Sequence, residues 1–385
     1  MASYNVNDRD NRDVNPVLCE EKSRARKVTL NRPRKLNCLT FEMISQIHAA
    51  MRTYEDDAKV NLVVVKGKGK AFCAGGDVTR LMLYTLAGHW SFAASFYSRQ
   101  LKLDYLLATY KKPLVFLING IVMGGGAGLS MNGMFRIVTE NTVFAMPEAA
   151  IGLFPDVGAS YFLSRLPGYY GEYLGLTGAR INGVEMLACG LATHFVLSKD
   201  LQQLEDALCE LGSSDALTIS KLIDKFIYRE QTNQDSFHER LEIINKCFCR
   251  ETVEEILLSL EEMNTGADKW IVQAISSLKL ASPTSLKIGL RSIREGRKQM
   301  LDSCLAREYR VFCHFVRGTV NNDFFEGARA LLFEKDKKPK WEPSQLSQVS
   351  EEMVDKFSAE LDDEDFKCLR LPARSNPSIA ARAKL

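Results

Sequence analysis

The sequence predicts an α/β fold with a parallel sheet, followed by a mainly helical C-terminal part. In the first half of the chain, short β-branched runs alternate with helical stretches, the pattern that parallel pairing requires. Past about residue 198 the apolar spacing is almost wholly helical. A chain of 385 residues, 46% hydrophobic and 25% charged, has room for one large domain or two ordinary ones.

Lys27-Val28-Thr29-Leu30 reads as a short strand that stops at Asn31-Arg32-Pro33. A helix follows over residues 40–54, with Thr40 as N-cap and Glu42 in the first turn. The β-branched run 62–65 is a buried strand turned by Lys66-Gly67-Lys68-Gly69, and 114–118 is another, followed by Asn119-Gly120. Short strands are expected at 135–138 and 142–145. Helices are expected at 201–211, 217–228, 237–248 and 253–262. Ser282-Pro283 opens a further helix, and Asn322-Asp323 caps one over 324–333. The resulting division is a polar tail (1–16), a core (17–200), a helical region completing the fold (201–345) and a C-terminal extension (346–385).

Several function classes lose support at this stage. A net charge of +2 gives no reason to expect nucleic acid as a partner, and no apolar run is long enough to cross a bilayer. Ten cysteines without a C-x-x-C pair point to reduced thiols and an intracellular compartment. Five scattered histidines offer no H-E-x-x-H arrangement, so no metal site is expected. The ending Ala383-Lys384-Leu385 resembles the Ser-Lys-Leu address, which predicts a peroxisomal location with an import receptor as partner.

The chemistry concentrates between residues 144 and 158. There Glu148 and Asp156 are the only charges in an apolar stretch rich in glycine and proline. Acids in such a setting are paired, exposed or kept for chemistry. Gly124-Gly125-Gly126 follows the 114–118 strand and opens a helix, where backbone N–H groups can approach a bound oxygen. It fits neither the P-loop nor G-x-G-x-x-G, and close helix packing is its plainer reading. Ala71-Phe72-Cys73-Ala74-Gly75-Gly76-Asp77 is a second glycine turn, able to supply another N–H, with Asp77 as an ordinary helix cap and Cys73 as a packed thiol.

Two glycine turns followed by two acids, in this order, resemble the crotonase (enoyl-CoA hydratase/isomerase) superfamily. Arg32-Pro33 with Asn37-Cys38-Leu39, and Asp323-Phe324-Phe325-Glu326-Gly327, fit the same pattern. Gly152-Leu153-Phe154-Pro155-Asp156-Val157-Gly158, Gly190-Leu191-Ala192-Thr193-His194-Phe195 and Ala281-Ser282-Pro283-Thr284-Ser285 are similar to its 3-hydroxyisobutyryl-CoA hydrolases. The resemblance spans about residues 17–345 and implies a ββα spiral core completed by the helical C-terminal region.

It further implies that Gly76 and Gly125 form an oxyanion hole and that Glu148 and Asp156 are the catalytic carboxylates. Gln100, Gly124 and Asp77 would contact substrate. The substrate implied is an acyl-CoA ester, 3-hydroxyisobutyryl-CoA in valine breakdown, with no separate cofactor. Relatives with this core often form trimers, so a homo-oligomer is compatible with the resemblance, but nothing in the sequence fixes an interface.

Hydratases of the superfamily place a second glutamate where this chain has Gly128, which favours hydrolysis. The rival readings are an enoyl-CoA hydratase or isomerase, and an acyl-CoA-binding homologue of weak turnover. The second is motivated by one departure. Where such hydrolases carry Glu-Tyr-x-Leu-Asn, this chain has Gln100-Leu101-Lys102-Leu103-Asp104, and Ala149 replaces the usual Thr. Outside the motif, His194 reads as a structural hydrogen-bonder, Arg32 and Lys35 as CoA-phosphate ligands or a solvated basic loop, and Trp341 as packing for the tail.

Overall fold

The computed structural model describes residues 15–228, 234–266, 268–364 and 367–374. Ten strands run in chain order: β1 (Val17–Lys22), β2 (Ala25–Leu30), β3 (Leu62–Gly67), β4 (Ala71–Cys73), β5 (Leu114–Ile118), β6 (Ile121–Met123), β7 (Phe135–Val138), β8 (Val143–Ala145), β9 (Ile181–Asn182) and β10 (His194–Phe195). They form a six-stranded sheet, β1-β2-β3-β5-β7-β10, and a four-stranded sheet, β4-β6-β8-β9. The first is parallel from β2 to β10, with β1 antiparallel at its edge; the second is parallel except for β9.

This topology is a spiral. The pairs β3–β4, β5–β6 and β7–β8 each send their first strand to the large sheet and their second to the small one. The corner within a pair is too tight for most side chains. Gly120, between β5 and β6, has φ +82°, and a Cβ there would lie 2.1 Å from the Lys70 carbonyl oxygen. Successive turns therefore stack closely enough for the glycine segments after β4 and β6 to meet.

The helices of this half that shape the site are α1 (Phe41–Asp56), α2 (Val78–Ala87), α3 (Trp90–Ala108) and α4 (Gly125–Ser130). Thr40 caps α1 through its side chain, and Asp77 does the same for α2. α3 packs against α1, α2, α4 and the helix Leu301–Arg317. It is accordingly buried on most of its surface, including the polar Gln100 and Asp104. One apolar core joins the spiral to the later helices, from Val28 and Phe116 to Phe154, Phe315 and Phe357. After residue 367 the chain returns to the first half, where Arg374 pairs with Glu55 and donates to Thr109.

Most sequence expectations hold, and the exceptions have local causes. β1 went unnoticed because its hairpin with β2 leaves most of its residues exposed or half-buried. The helix Leu301–Arg317 lacks a start signal, since Met300 occupies the cap position and makes no side-chain bond. Lys269–Leu280 likewise begins without a side-chain cap bond, at Asp268. The helix expected over 324–333 covers only Asp323–Ala328 and then widens into a π turn, Arg329–Phe333. That expected over 217–228 ends at Ile223 and continues as a 3-10 turn.

Candidate active site

The two glycine turns meet at one point. Gly75 (φ +109°) presents its Cα face to the second turn, where a Cβ would lie 3.6 Å from the Gly125 nitrogen. A Cβ on Gly125 would lie 3.1 Å from the Gly76 nitrogen and 2.5 Å from Gln100 Nε2. The N–H groups on either side, of Ala74 and Asp77, are bonded to the Leu36 and Leu39 carbonyls, which fixes the first turn. Gly124, with φ +48° and ψ −121°, sets the second. The backbones of Gly76 and Gly125 thus meet at the wall of a cavity of about 240 Å³ that both residues line.

Both acids reach the same cavity. Glu148 begins a short 3-10 turn after β8, is 6% exposed, and leaves Oε2 without a hydrogen-bond partner among the described residues. A Cβ on Gly124 would lie 2.8 Å from Glu148 Oε1, so only glycine admits the carboxylate there. Burial, and then the charge of Asp156, push the Glu148 carboxyl well above the usual range. Asp156 is also 6% exposed. Burial and then the Glu308 carboxylate raise it to about 8, against a bond from the Tyr97 hydroxyl that favours its charged form.

The loop carrying Asp156 is braced from two helices. Val157 has φ +56°, an outlier for a β-branched residue, and its N–H donates to the Tyr97 hydroxyl at 3.1 Å. Glu308, on Leu301–Arg317, accepts the N–H groups of Gly158 (2.6 Å) and Ser160 (2.9 Å) and the Ser160 hydroxyl (2.5 Å). Phe96, Leu153, Phe312 and Phe324 complete an apolar wall. Backbone N–H groups aimed at a carbonyl oxygen beside a carboxylate let that oxygen develop negative charge, which is the requirement of acyl transfer.

Gly76, Gly124, Gly125, Gln100, Glu148 and Asp156 all line this cavity. Asp77 does not. Its carboxylate caps α2 and receives Arg32 at 3.3 Å, so the residue expected to bind substrate ties two loops together. The same bond corrects the reading of Arg32, which is 4% exposed and also donates to the Cys38 carbonyl at 2.6 Å. Lys35 remains exposed.

Cys73 is buried and burial drives its thiol upward, as a packed thiol requires. His194 bonds Thr193 at 2.8 Å, and the Trp341 indole donates to the Leu280 carbonyl at 2.9 Å. Ala383-Lys384-Leu385 lies outside the described residues. Sequence reasoning missed Tyr97, Asp104 and Glu308. Of these only Asp104 fell within a motif under consideration.

Among the described residues, no group of three or more His, Cys, Asp or Glu side chains is arranged to hold a metal ion, and no helix is long and apolar enough to cross a membrane. The family model for enoyl-CoA hydratase/isomerase matches residues 25–358. The chain is 53% identical over 370 residues to 3-hydroxyisobutyryl-CoA hydrolase 1 of Arabidopsis thaliana, covering 96% of this chain and 97% of the relative. It is 52% identical over 362 residues to the probable 3-hydroxyisobutyryl-CoA hydrolase 3 of the same plant, covering 94% and 96%. Among solved structures, a carnitinyl-CoA dehydratase from Mycobacterium thermoresistibile superposes with a TM-score of 0.82 at 32% identity, over 91% of this chain and 98% of that one.

Proposed function

We infer that this chain, which belongs to the enoyl-CoA hydratase/isomerase family, hydrolyses a β-hydroxyacyl-CoA thioester, with 3-hydroxyisobutyryl-CoA of valine breakdown as its substrate. One observation favours hydrolysis over hydration. Position 128 is glycine, and a Cβ there would lie 2.7 Å from Val157 Cβ and 2.8 Å from Asp104 Oδ2. A second glutamate of the hydratase kind is absent and has no space. Glu148 is left facing the acyl carbon with the two N–H groups and Asp156.

In this reading the thioester oxygen lies between the Gly76 and Gly125 N–H groups, which stabilise it as the carbonyl carbon becomes tetrahedral. Two routes use the same atoms. In the first, Glu148 takes a proton from water, whose oxygen bonds the acyl carbon while the carbon–sulfur bond breaks and the thiolate leaves. Alternatively Glu148 itself attacks, expelling the thiolate and forming a mixed anhydride that water then opens. In both, the proton released from water goes to the CoA thiolate. Asp156, held by Tyr97, orients the substrate hydroxyl or the water, and the Gln100 amide, whose Nε2 has no partner among the described residues, donates to the acyl end.

The test is thiol release from 3-hydroxyisobutyryl-CoA, compared with hydration of crotonyl-CoA by the same protein. Wild type is expected to release thiol, and Glu148→Gln to lose about 10²–10⁴-fold in kcat. Faster hydration than thiol release overturns the assignment. So does a wild-type protein that binds the ester without cleaving it.

A further inference from the structure

The catalytic cavity has two unlike sides. Val78, Phe96, Ile151 and Leu331 on its lining are half-buried, and this is the side toward solvent. Leu153, Asp156, Phe312 and Phe324 line it as well, and each is at most 6% exposed. A CoA ester keeps its long polar carrier in water, because burying those groups unpaired is costly. The acyl group is therefore the part that enters the buried side. The scheme above gives Asp156 work there and leaves the aromatic rings with none.

Those rings are fixed in place. Phe312, on Leu301–Arg317, stacks on Tyr97 of α3 with 4.1 Å between ring centroids and 26° between planes. On its other side Phe324 meets it edge-on at 6.4 Å. Tyr97 also lies nearly parallel to Tyr309 at 6.3 Å, and its hydroxyl accepts the Val157 N–H at 3.1 Å. The Phe312 ring thus cannot withdraw without displacing the ring that braces the Asp156 loop, and a close-packed interior gives it no empty space to enter. The cavity is also small. Its volume of about 240 Å³ equals about eight water molecules, which a short branched hydroxyacyl thioester nearly fills.

We propose that Phe312 sets the acyl length this protein accepts. Its ring closes the buried side of the cavity next to Tyr97, so a hydroxyacyl group of 3-hydroxyisobutyryl size ends against it. A longer unbranched chain runs into an aromatic stack that cannot move aside. The same contact gives the wall a second effect: a chain that pushes Phe312 also pushes Tyr97 and with it the loop that carries Asp156. An overlong substrate therefore loses its fit and the placement of an acid together.

The inference rests on the thioester hydrolysis proposed above, and the experiment separates the two. kcat/KM for thiol release is measured with 3-hydroxyisobutyryl-CoA and with the longer 3-hydroxyhexanoyl-CoA, for wild type, Phe312→Ala, Phe312→Leu and Phe315→Ala. Phe315 is the control: it is 1% exposed and stacks on Phe154 at 5.6 Å, in the same core, but does not line the cavity. Wild type should prefer the shorter ester. Phe312→Ala is expected to raise the ratio of longer to shorter by about tenfold or more, since one methylene in a close-fitting pocket discriminates by about 10–200-fold. Phe312→Leu should raise it less, and Phe315→Ala should leave it at the wild-type value. Should Phe312→Ala fail to fold, Phe312→Leu becomes the deciding variant. An equal rise in Phe315→Ala refutes the proposal, because any loosening of the core would then suffice. A wild-type protein that cleaves neither ester refutes the hydrolase reading and this inference with it. Wild-type cleavage of both esters alike, or a ratio unmoved in the Phe312 variants, refutes the inference alone.

Discussion

Replacing Asp156 by Asn should stabilise the ligand-free protein, and increasingly so as pH rises. The Asp156 carboxyl is raised from 3.8 to about 8 in the folded chain, by burial and then by Glu308. Between those values the folded state holds a proton that the unfolded state has released, so the unfolded state binds fewer protons and stability falls with rising pH. Each pH unit in that window costs on the order of 1 kcal/mol, or roughly 3 kcal/mol from pH 5 to pH 7. Asn carries no such linkage, and its carbonyl oxygen can still accept from the Tyr97 hydroxyl. Urea unfolding at pH 5, 6 and 7 should therefore show the advantage of Asp156→Asn over wild type widening by about 2–3 kcal/mol. Thiol release should fall in the same variant, an exchange of activity for stability at a strained site. A difference that stays flat from pH 5 to pH 7 would refute the electrostatic account of this loop.

Other perturbations test single contacts. In Gly125→Ala the new Cβ would lie 2.5 Å from Gln100 Nε2 and 3.1 Å from the Gly76 nitrogen; kcat should drop about 10²–10³-fold, the usual loss for one oxyanion donor, and a loss below tenfold would contradict the assignment. Gly128→Glu should not create a hydratase, because Val157 and Asp104 fill the space. It should cost about 1–3 kcal/mol through overpacking, and appearance of crotonyl-CoA hydration would show that the site adapts. Arg374→Ala strips the guanidinium from Glu55, whose side chain is 2% exposed and keeps the Lys111 N–H at 2.9 Å; a loss of about 2–4 kcal/mol in urea unfolding is expected, and a change within about 0.5 kcal/mol would show the clamp to be idle.

The parts of the site that could be read from sequence are those written in consecutive residues. Gly75-Gly76, Gly124-Gly125, Glu148 and Asp156 each sit in a short segment whose glycines and prolines announce a shaped backbone, and the spiral brings the segments together. Tyr97 and Glu308 had no such notice. Tyr97 is one aromatic on a long helix, and Glu308 lies on an amphipathic helix where acids are ordinary; both matter only through the loop they brace. Arg32 and Asp77 show the opposite failure. Each invited a ligand-binding reading, yet across 45 residues they bond each other, which no local pattern reveals. In the fold the same distinction holds. Strands with β-branched runs and helices with caps were visible, whereas the edge strand β1 and the uncapped helix Leu301–Arg317 were not.

Glu308 also ties the ripening of the site to the end of the chain's synthesis. The turn it braces, at Gly158 and Ser160, leaves the ribosome about 150 residues before Glu308 itself. Until then Asp156 sits on a loop anchored from the Tyr97 side alone, with a β-branched residue at positive φ and nothing to pay for that conformation. A nascent chain, or a fragment ending before residue 308, thus contains every glycine and acid of the cavity while lacking the carboxylate that fixes their loop. Competence is the last property such a chain acquires, and it arrives with the helix whose Phe312 also closes the wall of the cavity.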